Sequence, residues 1–161
     1  MAEEILAPAP IPETEKCKVF LSGSIEMGTA HKWRRKIIDA LLSERVVFLN
    51  PRREDWDSSW SQSVDNPAFV EQVEWELAGL EQADVIAVHF QPGTKSSITL
   101  LELGLWAVEC RRGDKKIIVH CPEGFWRKGN VDIVCKRYGI RQVDSVDELI
   151  EALREAIHRR G

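Results

Sequence analysis

The run Asp84-Val85-Ile86-Ala87-Val88-His89-Phe90, then Gln91-Pro92-Gly93-Thr94-Lys95-Ser96, then Ser97-Ile98-Thr99-Leu100-Leu101-Glu102-Leu103-Gly104-Leu105 holds a short apolar stretch, a turn-rich loop and a segment of helical length. The first piece is too short and too rich in branched residues for a helix, and its polar flanks read as the ends of a buried strand. A strand feeding a helix through a short loop is half of a β-α-β crossover, whose closure demands a parallel neighbour.

The chain repeats the pattern on both sides. Upstream, Lys18-Val19-Phe20-Leu21-Ser22-Gly23 is an apolar run ended by small residues. Thr29 then stands as a cap before Trp33, Ile37, Ile38, Leu41 and Leu42, which recur at helical spacing. Val46-Val47-Phe48-Leu49 reads as a strand stopped by Asn50-Pro51. The Ser-, Asp- and Trp-rich stretch 52–65 has no period, and Asn66-Pro67 opens a helix carried by Phe69, Val73, Leu77 and Leu80. Downstream come a strand at Lys116–His120, a helical piece near Val131–Tyr138, a short strand around Ile140–Val143 and a helix opened by the capping box Ser145-x-x-Glu148. The expectation is an α/β fold: a single-domain, flavodoxin-like (Rossmann-like) parallel sheet of five strands in order 2-1-3-4-5, with helices on both faces. Ligands of such sheets sit beyond the carboxyl ends of the strands, where the order reverses. That location draws on residues 22–28, 50–60 and 89–97.

Residues 1–16, acidic and punctuated by Pro8, Pro10 and Pro12, read as a flexible arm, leaving 17–161 as the domain. With 161 residues, 43% hydrophobic and 30% charged, one core is expected. A net charge of -4 gives no electrostatic reason to bind nucleic acid or an anionic membrane. No run reaches the roughly 18 apolar residues of a spanning helix. Cys17, Cys110, Cys121 and Cys135 form no C-x-x-C pair, and the start Met-Ala-Glu-Glu lacks a signal peptide's basic and apolar regions. The reading is a reduced, cytoplasmic protein whose partner is a small molecule.

Glu102 is the only ionisable side chain between Lys95 and Glu109. Burying a carboxylate there costs several kcal/mol unless it is paired. Ile98, Leu101, Glu102 and Leu105 fall at i, i+3, i+4 and i+7, as do Val73, Glu76, Leu77 and Leu80, so two carboxyls interrupt apolar stripes on neighbouring helices. Such a pair divides labour in a dry cleft, one ionised and one protonated. The structural alternatives are a Thr99-x-x-Glu102 capping box and a Glu76 that snorkels to water or pairs with a base. The segment Gly23-Ser24-Ile25-Glu26-Met27-Gly28 offers backbone amides for an anion or hydroxyl, or is a plain turn; it is neither a Walker loop nor G-x-G-x-x-G. His31, His89, His120 and His158 are dispersed, so no metal and no cofactor is expected, and His89 and His120 at strand ends read as core or rim residues. No G-x-S-x-G elbow is present.

The stretch Trp75-Glu76-Leu77-Ala78-Gly79-Leu80-Glu81-Gln82-Ala83-Asp84, the strand after it, and Thr94-Lys95-Ser96-Ser97-Ile98-Thr99-Leu100-Leu101-Glu102-Leu103-Gly104 resemble the nucleoside 2-deoxyribosyltransferase family. Leu21-Ser22-Gly23-Ser24-Ile25 and Asn50-Pro51 fit it too, so the resemblance spans about residues 18–125. It implies that the glutamate of the E-L-G element, Glu102, is a nucleophile forming a covalent deoxyribosyl ester. Glu76 matches the family's acid that handles the base, with a glutamate where an aspartate is usual, which moves the carboxyl by about 1.5 Å. Ser96 replaces another common aspartate and is similar to the 2′-deoxynucleoside 5′-phosphate N-hydrolases, whereas Glu26 stands where those hydrolases favour arginine. The resemblance implies a nucleoside or nucleotide substrate contacted by Gly23, Ser24, Asn50, Trp60, Ser96 and Ser97. It also implies a homo-oligomer in which Trp126–Tyr138, Asn130 above all, lends residues across an interface. Trp33, Trp56 and Trp60 are candidate surfaces for a base, and 52–65 a candidate lid. The rival readings are a module that senses a nucleoside without turnover and a scaffold.

Overall fold

In the computed structural model, which describes residues 1–24 and 30–160, all strands lie in one parallel sheet. The elements are β1 (Glu3–Leu6), β2 (Cys17–Gly23), α1 (Ala30–Ala40), β3 (Val46–Asn50), α2 (Pro67–Gln82), β4 (Val85–His89), α3 (Ser97–Arg112), β5 (Lys116–His120), α4 (Lys128–Tyr138), β6 (Arg141–Val143) and α5 (Val146–Arg160). The order is β1-β3-β2-β4-β5-β6. Without β1, the remaining five run in the expected order 2-1-3-4-5, and the flavodoxin-like class stands.

The sixth strand corrects the reading of residues 1–16 as a flexible arm. Glu3–Leu6 pairs in parallel register with Val47–Asn50, and the chain is held further on by Ala7 N–H on the Asn50 carbonyl at 3.1 Å and Trp75 Nε1 on the Ala9 carbonyl at 2.8 Å. The physical reason lies in β3, whose outer edge would otherwise leave backbone donors and acceptors unpaired. Four residues with only two apolar side chains, followed by prolines, carry too little pattern to announce this.

Strand alternation sorts the core into two layers. Phe20, Ile86, Val88 and Leu49 face α2, α3 and α4, while Val19, Leu21, Ala87 and Phe48 face α1 and α5. On α1, Trp33, Ile37 and Ile38 are buried as their spacing requires, as is Leu41 just past its end, whereas Leu42, expected on the same stripe, is exposed because the helix has ended. Thr29 and Glu26 lie outside the described residues. At α2 the Asn66 side chain accepts from Ala68 N–H and Pro67 opens the helix. At α5, Ser145 Oγ accepts from Glu148 N–H at 3.0 Å, and the Glu148 carboxylate reaches back to Asp144 N–H.

Two stripes are rotated from expectation. The buried face of α2 is Gln72, Trp75, Gly79 and Leu80, leaving Val73, Glu76 and Leu77 half-buried on its flank. Gly79 sets this rotation: a Cβ there would lie 2.9 Å from Phe20 Cε2, so the missing side chain lets α2 settle onto the sheet. On α3 the buried residues are Thr99, Glu102, Leu103 and Ala107, and the expected inward residues Ile98, Leu101 and Leu105 are exposed. α3 is apolar nearly all round, so period alone could not choose its inner face.

Candidate active site

Phe20 and Ser22 share one face of β2, so Ser22, at the end of the strand, points toward α2 and α3. There it is fully buried and donates its hydroxyl to Glu102 Oε1 at 2.9 Å. α3 begins at Ser97, which places Glu102 inside the helix and rules out the Thr99 capping box. Glu102 is 8% exposed. Burial raises its pKa from 4.5 to about 7, opposed by the Ser22 hydrogen bond and by the positive charge of Arg34. On α2, Glu76 is raised to about 8, first by burial and then by the negative charge of Glu102, with Arg34 again opposing. Two carboxyls from adjacent helices are thus both held by burial above the ordinary carboxylate range.

The third charge is Arg34, which sequence reasoning missed. It is 1% exposed and donates from Nε and Nη2 to the Leu21 carbonyl at 3.3 and 3.2 Å and from Nη2 to the Gly23 carbonyl at 2.8 Å. Burial lowers its pKa to about 10, against the pull of Glu102 and Glu76, so it stays cationic at neutral pH. The signal was available: Arg34, Ile37, Ile38 and Leu41 fall at i, i+3, i+4 and i+7, the same interrupted stripe that singled out the two glutamates. Ser22 was within the expected segment, but its bond to Glu102 needed the strand's alternation to be joined to the helix's inner face.

The remaining candidates divide. Gly23 is fixed from below, since a Cβ would stand 2.6 Å from Trp33 Cζ2 and 3.0 Å from the His89 carbonyl. Ser24 follows it and is buried. Ser96 caps α3 in the left-handed region at φ 47, with its hydroxyl on Thr94 Oγ1 at 2.7 Å rather than on the helix amides. Ser97 is exposed at the first turn, about 7.5 Å of helix rise from Glu102. Asn50 is committed to protein partners, donating to Glu4 Oε2 at 3.1 Å and accepting from Arg52 N–H. Trp60 packs edge-on against Trp56 and under the Arg53 guanidinium. Arg53 in turn bonds Asp55 and Glu71, at 2.6 and 2.7 Å, and ties the 52–65 segment to α2.

Trp33 is not a surface for a base. It is 5% exposed and packs at a tilt against His89 with ring centroids 4.9 Å apart, because the apolar stripe of α1 carries it into the core. His89 and His120 are buried at the ends of β4 and β5, with their Nδ1 atoms 2.9 Å apart, and burial pushes His89 down to about 4. Among the described residues no His, Cys, Asp or Glu group has metal-ligand geometry, no helix is long and apolar enough to cross a membrane, and the four cysteines are free thiols.

A search of curated proteins finds no match. Among solved structures, a conserved protein from Enterococcus faecalis V583 is similar in fold, with a TM-score of 0.60 at 11% identity over 91% of this chain and 99% of that one. A family model described as nucleoside 2-deoxyribosyltransferase like matches residues 16–125, more than half of the chain and the part that supplies Ser22, Arg34, Glu76 and Glu102. On that match the chain belongs to the nucleoside 2-deoxyribosyltransferase-like family.

Proposed function

We propose that the protein cleaves the N-glycosidic bond of a deoxynucleoside with retention at C1′, using Glu102 as nucleophile and Glu76 as proton donor. The observation that carries this reading is the buried carboxyl of Glu102, oriented by the Ser22 hydroxyl, with a second carboxyl, Glu76, near enough to feel its charge. Glu102 attacks C1′ as the C1′–N bond breaks. The bond's electron pair leaves with the base, which takes its proton from Glu76. The resulting deoxyribosyl ester is resolved by a second base, giving transfer, or by water, giving hydrolysis. Gly23, Ser24, Ser96 and Ser97 border the sugar side, and Asn50 and Trp60 the outer rim. No cofactor takes part.

The test is base release from deoxyinosine, deoxyadenosine and deoxycytidine, with and without an acceptor base, read by chromatography. The same assay on 5′-phosphates decides whether a nucleotide is the substrate. Glu102→Ala loses turnover by several orders of magnitude, and full activity in that variant refutes the mechanism. A folded protein that binds nucleosides and releases no base is a sensing module.

The proposal extends to self-association. Ile98, Leu101, Leu105 and Val108 form an exposed apolar stripe on the back of α3, and no charged side chain interrupts it. Beside it lies a cavity of about 320 Å³ lined by Leu100, Gly104, Trp126 and Asn130. A charge-free stripe of this kind is self-complementary and suits a second copy of the chain, with Asn130 at the rim.

A further inference from the structure

Arg34 performs two tasks that a neutral donor could not combine. Leu21 and Gly23 lie beyond the last register pair between β2 and β3, Phe20 with Leu49, while both stay in register with β4 on the other side, opposite Ala87 and His89. Arg34 reaches over the rim of the sheet from α1 and donates to their carbonyls. Those carbonyls flank Ser22, whose hydroxyl holds Glu102, so the guanidinium is anchored to the same three-residue segment that orients the nucleophile.

Capping two carbonyls does not account for the charge. A buried ion costs several kcal/mol that an uncharged amide would not incur. Nη1 is buried and has no hydrogen-bond partner among the described residues, so the donor fork exceeds what the strand end needs. Among the described residues neither Glu76 nor Glu102 forms a contact ion pair with Arg34, although the charge of each acts on it. A cation that makes no contact ion pair with a carboxyl still favours its ionisation, without occupying the lone pair that must attack carbon.

We propose that Arg34 is a positioning residue that keeps Glu102 the ionised member of the carboxyl pair. This rests on the reading of Glu102 as nucleophile. Among the described residues, the charged groups that act on Arg34 or share its surroundings are Glu102 from α3, Glu76 from α2 and, lining the same cavity of about 330 Å³, Lys32, Arg35, Arg52, Glu4 and Glu54. His89 on β4 also feels Arg34 and is neutral near pH 7. Of these, Glu102 acts on Arg34 most strongly.

The experiment compares the parent with Arg34→Met, Arg34→Gln and Arg34→Lys in two readouts. The first is the pH profile of kcat/KM for base release. Loss of the cation moves the acidic limb up by about one pH unit, a roughly ten-fold loss below that limb, and Arg34→Lys restores the limb. The second is direct titration of Glu102 by carboxyl ¹³C NMR in the intact protein, which needs no turnover. It shows the same upward shift in Arg34→Met, or in Arg34→Gln should the methionine variant not fold. Variants that melt lower while both the limb and the titration stay in place overturn the proposal and leave Arg34 a strand-end cap. A parent that releases no base, yet whose Glu102 titration moves in the variants, refutes the glycosidic reading and keeps the electrostatic one.

Discussion

Replacing Glu102 with glutamine makes the fold more stable in alkaline solution and leaves its stability in acid nearly unchanged. A carboxyl whose pKa is higher folded than unfolded holds its proton more tightly in the native state. Its contribution is full below the unfolded value of 4.5 and is lost as pH climbs through the folded value of about 7. At 1.36 kcal/mol per unit, the rise between those values amounts to about 3 kcal/mol by pH 8, of the order of a buried charge. Glutamine never ionises, keeps an oxygen to accept from Ser22 and fills the same volume. Urea or thermal melts of parent and variant at pH 5 and pH 8 measure the difference. The expected gain at pH 8 is about 3 kcal/mol, which for a domain of this size is roughly 6–12 °C in Tm, against about 1 kcal/mol at pH 5. A variant whose advantage is the same at both pH values refutes the claim that the native site resists ionisation of Glu102.

On the proposed mechanism, kcat/KM for base release measured against pH gives a bell whose acidic limb lies near 7, where Glu102 ionises, and whose basic limb lies near 8, where Glu76 loses its proton. Glu76→Gln removes the basic limb and slows base departure by about 10²–10⁴-fold, read as the ratio of rates for natural and activated leaving groups. Gly79→Ala drives a Cβ against the buried Phe20 ring and destabilises the fold by about 1–2 kcal/mol in urea, overpacking outweighing the gain in helix propensity. Leu101→Lys with Leu105→Lys lowers the mass measured by light scattering to that of a monomer; an unchanged mass shows that the α3 stripe is not the contact.

Most of the architecture was readable because buried parallel strands are continuous apolar runs. Val85–His89 and Val46–Asn50 needed nothing beyond their own composition, and the order of the five strands other than β1 is the one expected of the flavodoxin-like class. β1 was hidden because its stability resides in its partner: Glu3–Leu6 is a strand only while β3 offers an open edge. For the site, Glu102 was recognisable as a lone carboxyl in an apolar helix, although the stripe used to orient it faces outward; Leu103 and Ala107 define the inner side. On α2, Gly79 and Trp75 make the contact, and an apolar count underweights a glycine whose value is its missing Cβ. Trp33 was read as a ligand surface because tryptophan suits stacking on a base, yet the same α1 period buries it. Arg34 sat on that period too, and a long basic side chain on a buried face is the residue that sequence reading most readily assigns to solvent.

The most direct measurement is mass spectrometry of the protein quenched during turnover of a deoxynucleoside, followed by peptide mapping. The account predicts a deoxyribosyl adduct on the peptide carrying Glu102, absent from Glu102→Gln. Base release with no adduct at any time point, or an adduct on another residue, contradicts it.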